Sequence, residues 1–184
     1  MTAAAPNIVG TVASSNTLSR TTTAVRGVLD GAVAAGATVR MVELATTTVA
    51  DAIDAIDGAD GVVFGSPVYR ARHTAMLASL LESVERRKYG ETRAPLSSTA
   101  AAIVMSGASE HHFLASQSLE STLNSFFAVQ LVSPSLYLAQ SDYIDATTLA
   151  EHASTLARCT GGALAELAVA VRSSHHLARL EPQI

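Results

Sequence analysis

One stretch, Asp60 to Glu82, limits what this chain can fold into more than any other. Gly61 to Gly65 is a short apolar run rich in β-branched residues, the pattern of a strand buried on both sheet faces. Ser66-Pro67 ends it, because proline removes an amide donor and breaks the ladder. Val68 to Arg72 reads as an irregular connection. From Thr74 the apolar positions Leu77, Leu80, Leu81 and Val84 recur at helical spacing. A strand that ends in a polar loop and leads into a helix puts that loop at the carboxyl edge of a sheet. In open α/β sheets, ligands bind in the crevice there.

The rest of the chain repeats the pattern. Strands are expected at Asn7–Val12, Thr38–Leu44 and Ala100–Met105, with a fifth inside Val129–Leu138 that Pro134 breaks. Helices are expected from Ser19 to about Ala35, stopped by Gly36, and from Val49 to near Gly58, then over Glu110–Phe127 and Ile144–Val171. Gly161-Gly162 is a place for the last helix to weaken or kink. Alternation of strand and helix requires parallel pairing with right-handed crossovers. Five strands at this spacing suit the order 2-1-3-4-5, with its switch point between strands one and three.

Bulk properties exclude several function classes. The 184 residues suit a single domain, with 1–6 and 173–184 as flexible tails. No apolar run approaches the ~20 residues of a membrane span, so the 48% hydrophobic content points to a doubly covered sheet and a subunit interface. Met1–Pro6 has neither the basic region nor the apolar core of a secretion signal, and a cytoplasmic protein is expected. The net charge of −4 and the single lysine, Lys88, argue against nucleic-acid binding. Arg86-Arg87-Lys88 reads as cations at a helix carboxyl terminus. Cys159 has no CxxC partner and reads as a small core residue in a helix. Asp51, Asp54 and Asp57 read as a solvated acidic helix face. His111-His112 and His175-His176 are adjacent pairs without metal-ligand spacing, and no metal is expected.

Three polar loops carry the candidate chemistry. The first, Ala13–Leu18 with Ser19–Thr23 after it, has neither G-x-G-x-x-G nor a P-loop lysine. It concentrates hydroxyls, one amide and one guanidinium at a helix amino terminus, where free N–H groups and the positive dipole end favour an anion. Hydroxyls without glycines suit a terminal phosphomonoester better than a bridging pyrophosphate; the plain alternative is an N-cap at Ser19 after a polar turn. Ser66-Pro67-Val68-Tyr69 offers amides and an apolar wall to a flat heteroaromatic ring. Ser106–Ser109 places small residues at a strand end, where backbone N–H groups reach a ligand edge. Donors there stabilise the negative charge of a reduced flavin. No G-x-S-x-G is present, so the serines do not indicate an α/β-hydrolase.

Ala59 to Arg70 resembles the A-D-G-hydrophobic-x-P-V-Y-[KR] signature of NAD(P)H-dependent FMN reductases. Ser14 to Thr21 is similar to that family's phosphate loop. Ser106-Gly107-Ala108, followed by His112 to Ala115, resembles its T-G-G-x-x-x-H-L-L-A segment. The likeness runs from about Ile8 to Asp145, and is nearest to the reductase components of two-component flavin-dependent monooxygenases. It implies a flavodoxin-like α/β three-layer sandwich, with a five-stranded parallel sheet in the order 2-1-3-4-5. It implies hydride transfer from NADH or NADPH to FMN by stacking, with no catalytic side chain. Carried across by the resemblance, Ser14, Asn16, Ser19, Arg20 and Thr21 surround the FMN phosphate. Pro67, Val68, Tyr69 and Arg70 line the isoalloxazine, while Ser106, Gly107 and Ala108 meet its pyrimidine edge beside His112. Asn16 stands where the family carries an arginine, Ala108 where it carries a second glycine, and Ser116–Ser125 holds no aromatic residue. The resemblance also implies a homodimer or homotetramer and a monooxygenase receiving reduced flavin. Rival readings are an azo- or quinone reductase holding FMN, and a non-enzymatic electron-transfer module.

Overall fold

The structure, a computed structural model, describes residues 4–182. Strands β1 (Asn7–Val12), β2 (Thr38–Glu43), β3 (Gly61–Pro67) and β4 (Ala100–Ser106) alternate with helices α1 (Arg20–Ala34), α2 (Val49–Ile56) and α3 (Ala75–Glu82). After β4 come a 3-10 segment (Glu110–Ser116), the single turn α4 (Gln117–Ser121) and a π-helical turn (Thr122–Phe126). Two short strands, β5 (Gln130–Leu131) and β6 (Leu136–Leu138), both pair with β4, so the expected fifth strand exists in two pieces around Pro134. The hairpin β7 (Tyr143–Asp145) and β8 (Thr148–Leu149) precedes the closing helix α5 (Glu151–Ser173). The main sheet runs β2-β1-β3-β4-β5, all parallel, in the expected order. No helix among the described residues is long and apolar enough to cross a membrane.

The side-chain alternation of the central strands explains the layers. Val62, Phe64, Ala101, Ile103 and Met105 pack with Leu77, Leu80, Leu81 and Leu119 on one side of the sheet. Val63, Ala100, Ala102 and Val104 pack with Val25, Val28 and Leu164 on the other. Both faces of β3 and β4 are therefore buried, which is why these strands read as continuous apolar runs. On the second side, α1 and α5 meet at two glycines. A Cβ on Gly161 would lie 1.8 Å from the Val28 carbonyl oxygen, and one on Gly31 would lie 2.1 Å from that of Arg158. Gly161 permits backbone to approach backbone across α5, which runs through it as one helix.

Several expectations need correction. α3 ends at Glu82, so Arg86-Arg87-Lys88 lies in the following loop. There the Glu91 carboxylate accepts from the Arg86 and Lys88 amides, and the Arg86 guanidinium sits 3.6 Å from the centroid of the Phe126 ring. The expected Glu110–Phe127 helix is broken: His112 leaves helical geometry (φ −108°, ψ 22°), and the end of the segment widens into the π turn. The closing helix begins at Glu151, not Ile144, because Asp145 accepts from Thr147 and Thr148 and closes the hairpin first. Cys159 is exposed on the outer side of α5, since the buried stripe there runs through Ala157, Gly161 and Leu164. The tail is packed through a 3-10 turn at Leu177–Arg179, with Ser98 Oγ donating to the Ala178 carbonyl. Met1–Ala3 and Gln183–Ile184, also expected as flexible, lie outside the described residues. Asp51, Asp54 and Asp57 are exposed, as expected of a solvated acidic face, and Arg93 pairs with Asp54 and Asp57 there.

The adjacent glycines of α5 should behave oppositely. Gly161→Ala forces α1 and α5 apart and should lower stability by about 1–3 kcal/mol, the usual range for overpacking. A Cβ on Gly162 meets nothing within 4 Å, so Gly162→Ala should raise stability by up to about 1 kcal/mol through helix propensity. Thermal unfolding of the two variants tests this, and equal shifts would contradict the packing described.

Candidate functional site

The carboxyl ends of β1, β3 and β4 bring the three polar loops together through buried hydroxyls. The Ala13 amide donates to the Gly65 carbonyl (2.8 Å), and the Val68 amide donates to that of Ser106 (2.8 Å). Ser66, fully buried, accepts from the Thr74 amide at 3.0 Å and donates to the Pro67 carbonyl at 2.9 Å. Thr74 caps α3 and donates its hydroxyl to the Ala13 carbonyl at 3.1 Å. Thr21, on the first turn of α1, shares a 2.5 Å hydrogen bond with Ser106 at the end of β4.

The first loop therefore divides into an inner and an outer set. Ser14 and Thr21 are buried. Ser14 Oγ accepts from the Asn16 amide at 3.3 Å. Ser19 is the N-cap of α1: its Oγ accepts from the Thr22 amide at 3.1 Å and lies 2.9 Å from the Thr22 hydroxyl. Ser15, Asn16 and Thr17 face outward. Among the described residues, no acceptor within the chain serves the amides of Ser15, Thr17, Leu18, Ser19, Arg20 or Thr21. This row of N–H donors at a helix amino terminus is the donor set an anionic group requires. Arg20, the first residue of α1, carries a positive charge beside this loop, its guanidinium 6.0 Å from the Tyr143 ring centroid.

The second loop is a tight hairpin. Tyr69 and Arg72 exchange backbone hydrogen bonds at 3.0 and 3.3 Å, and Arg70 and Ala71 between them both have positive φ (53° and 60°). This is the primed turn geometry that suits a twisted hairpin, here without the glycine that usually supplies it. The turn leaves Tyr69 and Arg70 exposed, with Pro67 and Val68 half-buried below.

In the third loop, Gly107 is confined by a residue that sequence reasoning missed. A Cβ on Gly107 would lie 1.8 Å from the hydroxyl oxygen of Tyr137, which donates to the Ser109 carbonyl at 2.6 Å. The Gly107 amide already donates to Leu138, so the outward donors of this loop are the amides of Ala108 and Ser109. Ala108 and His112 are exposed. Tyr137 comes from β6, far along the chain, and nothing in its local sequence marks it. The absence of positive φ at Gly107 shows that the glycine serves close approach, not a left-handed turn.

Among the described residues, Glu43 Oε2, His73 Nδ1 and the Tyr143 hydroxyl are buried atoms without a partner. Burial raises the Glu43 pKa, offset by the Thr22 hydroxyl and Arg26. Burial and then the neighbouring Asp142 raise the Tyr143 pKa. His73 is pushed down by burial and then by Arg72, so it stays neutral at pH 7. His73 and Ala78 line both of two cavities, of about 580 and 450 Å³, along α3. Leu114 borders the first and Phe126 the second, and both side chains are about half exposed, as is Phe113.

The family model for NADPH-dependent FMN reductases matches residues 6–142. Among curated proteins, none matches the chain. Among solved structures, an apo NADH:FMN oxidoreductase (EMOB) is similar at a TM-score of 0.76 and 20% identity, over 95% of each chain. An oxidoreductase from Corynebacterium diphtheriae aligns at 0.75 and 18% identity, over 91% of this chain and 99% of its own. A WrbA-like flavodoxin from Agrobacterium tumefaciens aligns at 0.71 and 16% identity, over 90% and 99%. These likenesses show the flavodoxin-like fold.

Two outcomes follow from the site geometry. Gly107→Ala should destabilise the chain by about 1–3 kcal/mol, and adding Tyr137→Ala should return part of that loss. A double-mutant cycle in thermal unfolding measures the coupling, and strict additivity would contradict the contact. For His73, the unfolded chain takes a proton before the fold does, because the folded pKa is the lower one. Its contribution is therefore complete above the unfolded value, about 6.5, and is lost as the pH falls below it. Unfolding curves between pH 7.5 and about pH 5 should be flatter for His73→Asn than for the parent.

Proposed function

We propose that this chain, a member of the NADPH-dependent FMN reductase family, transfers hydride from NADH or NADPH to FMN at the crevice between β1 and β3. Family membership makes it a flavin-reducing oxidoreductase. The donor, the residues and the destination of the electrons are our assignment. One observation carries it: three polar loops, hydrogen-bonded to one another, present unengaged backbone amides at the switch point of a flavodoxin-like sheet.

The residues divide the work by position. Asn16 and the amides around Ser19, Arg20 and Thr21 receive the FMN phosphate, with the Ser14 and Thr21 hydroxyls fixing the loop from inside. Pro67, Val68, Tyr69 and Arg70 flank the ring. The Ala108 amide meets its pyrimidine edge, held at that height by Ser106 and Gly107, with His112 at the rim. Bound FMN supplies a ring that accepts two electrons and a proton as hydride from the nicotinamide, the second proton coming from solvent. The chain orients the two rings and offers N–H donors where negative charge develops; no side chain needs to act as acid or base. Arg72 attracts the phosphates of the nicotinamide nucleotide. A second copy of the chain covers the half-exposed Phe113, Leu114 and Phe126, giving a homodimer or homotetramer, and reduced FMN passes to a flavin-dependent monooxygenase.

Steady-state oxidation of NADH and of NADPH, with and without added FMN, tests the reading. FMN should be required, and no FMN-dependent oxidation of either nucleotide would overturn the assignment. Protein that retains FMN and reduces quinones or azo dyes without added flavin would favour a bound-flavin reductase instead. Arg72→Ala should raise the KM for the nucleotide about two- to fivefold, the worth of one exposed charge contact, while FMN affinity stays unchanged.

A further inference from the structure

We propose that Tyr137 is a positioning residue of the crevice, holding the Ala108 and Ser109 amides where they stabilise reduced flavin more than oxidised flavin; this rests on the flavin-reductase reading above. β6 anchors the third loop at both ends. The Leu138 carbonyl accepts from the Gly107 amide at 2.9 Å, and the Tyr137 hydroxyl donates to the Ser109 carbonyl at 2.6 Å. Between these anchors lie the amides of Ala108 and Ser109, which no acceptor among the described residues serves. Below them Ser106 is held on two further sides, by the Val68 amide and the Thr21 hydroxyl. Ser109 gives no side-chain cap to the 3-10 segment that follows. The base of the loop is thus tied through β4 and β6, and its outer end through the Tyr137 hydroxyl.

Peptide planes are rigid, so fixing the Gly107 amide and the Ser109 carbonyl leaves the two amides between them few directions. Gly107 carries no Cβ, and without the outer anchor its backbone would turn more freely. Tyr137 is suited to the task because its proton stays in place: burial and then Asp142 raise its pKa, so the phenol remains a donor at neutral pH. The chemistry decides which state of the ligand feels the anchor. Hydride transfer leaves negative charge on the flavin ring, and hydrogen bonds to a charged group are stronger than those to a neutral one. A misdirected amide therefore weakens the reduced state more than the oxidised state. A residue that merely filled space would affect both alike.

Tyr137→Phe removes the hydroxyl and keeps the ring against Gly107. Fluorescence titration gives its affinity for oxidised FMN, and anaerobic equilibrium reduction gives the midpoint potential of FMN bound to it. Oxidised FMN should bind within about threefold of the parent value, while reduced FMN loses about tenfold more, the worth of one hydrogen bond to a charged group. For a two-electron couple that tenfold difference lowers the potential by about 30 mV. Leu136→Ala is the control, since Leu136 packs on the opposite face of β6. It should lower the melting temperature without moving the potential. An unchanged potential in Tyr137→Phe, or equal weakening of both redox states, would overturn the inference and leave the reductase reading standing. An equal drop in Leu136→Ala would also overturn it, by showing that any loosening of β6 has the same effect. If the parent binds FMN in neither state, the reductase reading fails with it.

Discussion

The hydrogen bond between Thr21 and Ser106 joins two elements 85 positions apart, and the arrangement of the site depends on it. Both hydroxyls are buried, so neither can exchange its partner for water without opening the sheet edge. Through it the first turn of α1 is fixed to the end of β4. The Ser66–Thr74–Ala13 chain fixes β3, α3 and β1 in the same way. Loops at a sheet edge would otherwise be the least ordered part of such a fold. Here their inner halves are anchored in the core, and their outer amides and side chains remain for a ligand.

This division explains what could be read from the sequence. The order of strands followed from apolar runs and turn residues, because those patterns arise from local geometry and burial. The three loops were found for the same reason: each follows a buried strand. The direction of individual hydroxyls was not legible. Thr21 and Asn16 look equally suited to a phosphate in sequence, yet one points into the protein and the other to solvent, a difference set by Ser106 far away. Tyr137 was missed because its contact with Gly107 exists only after β6 docks beside β4. The broken helix over 110–126 was read as continuous because its apolar spacing is helical. Spacing does not register a kink at His112 or a widened final turn.

The two helical layers differ in how closely they pack. On the α1 and α5 side, glycines bring backbones into direct contact, and the buried surface is made of small residues and valines. On the other side, α3 and the broken segment leave cavities between them, and large apolar side chains face outward. The two faces of the sheet thus differ, one closed by backbone contact between helices and the other bordered by cavities. The unpartnered His73 nitrogen lies on the open side.

Cys159 has a practical consequence. It is the chain's single cysteine and is exposed on the outer surface of the α1 and α5 layer, on the side of the sheet away from His73 and the cavities. Maleimide chemistry would place one dye per chain on a helix that neither borders the crevice nor lines the α3 groove. Such a label reports association of copies or rotational diffusion with the ligand site untouched, a handle that multi-cysteine oxidoreductases lack.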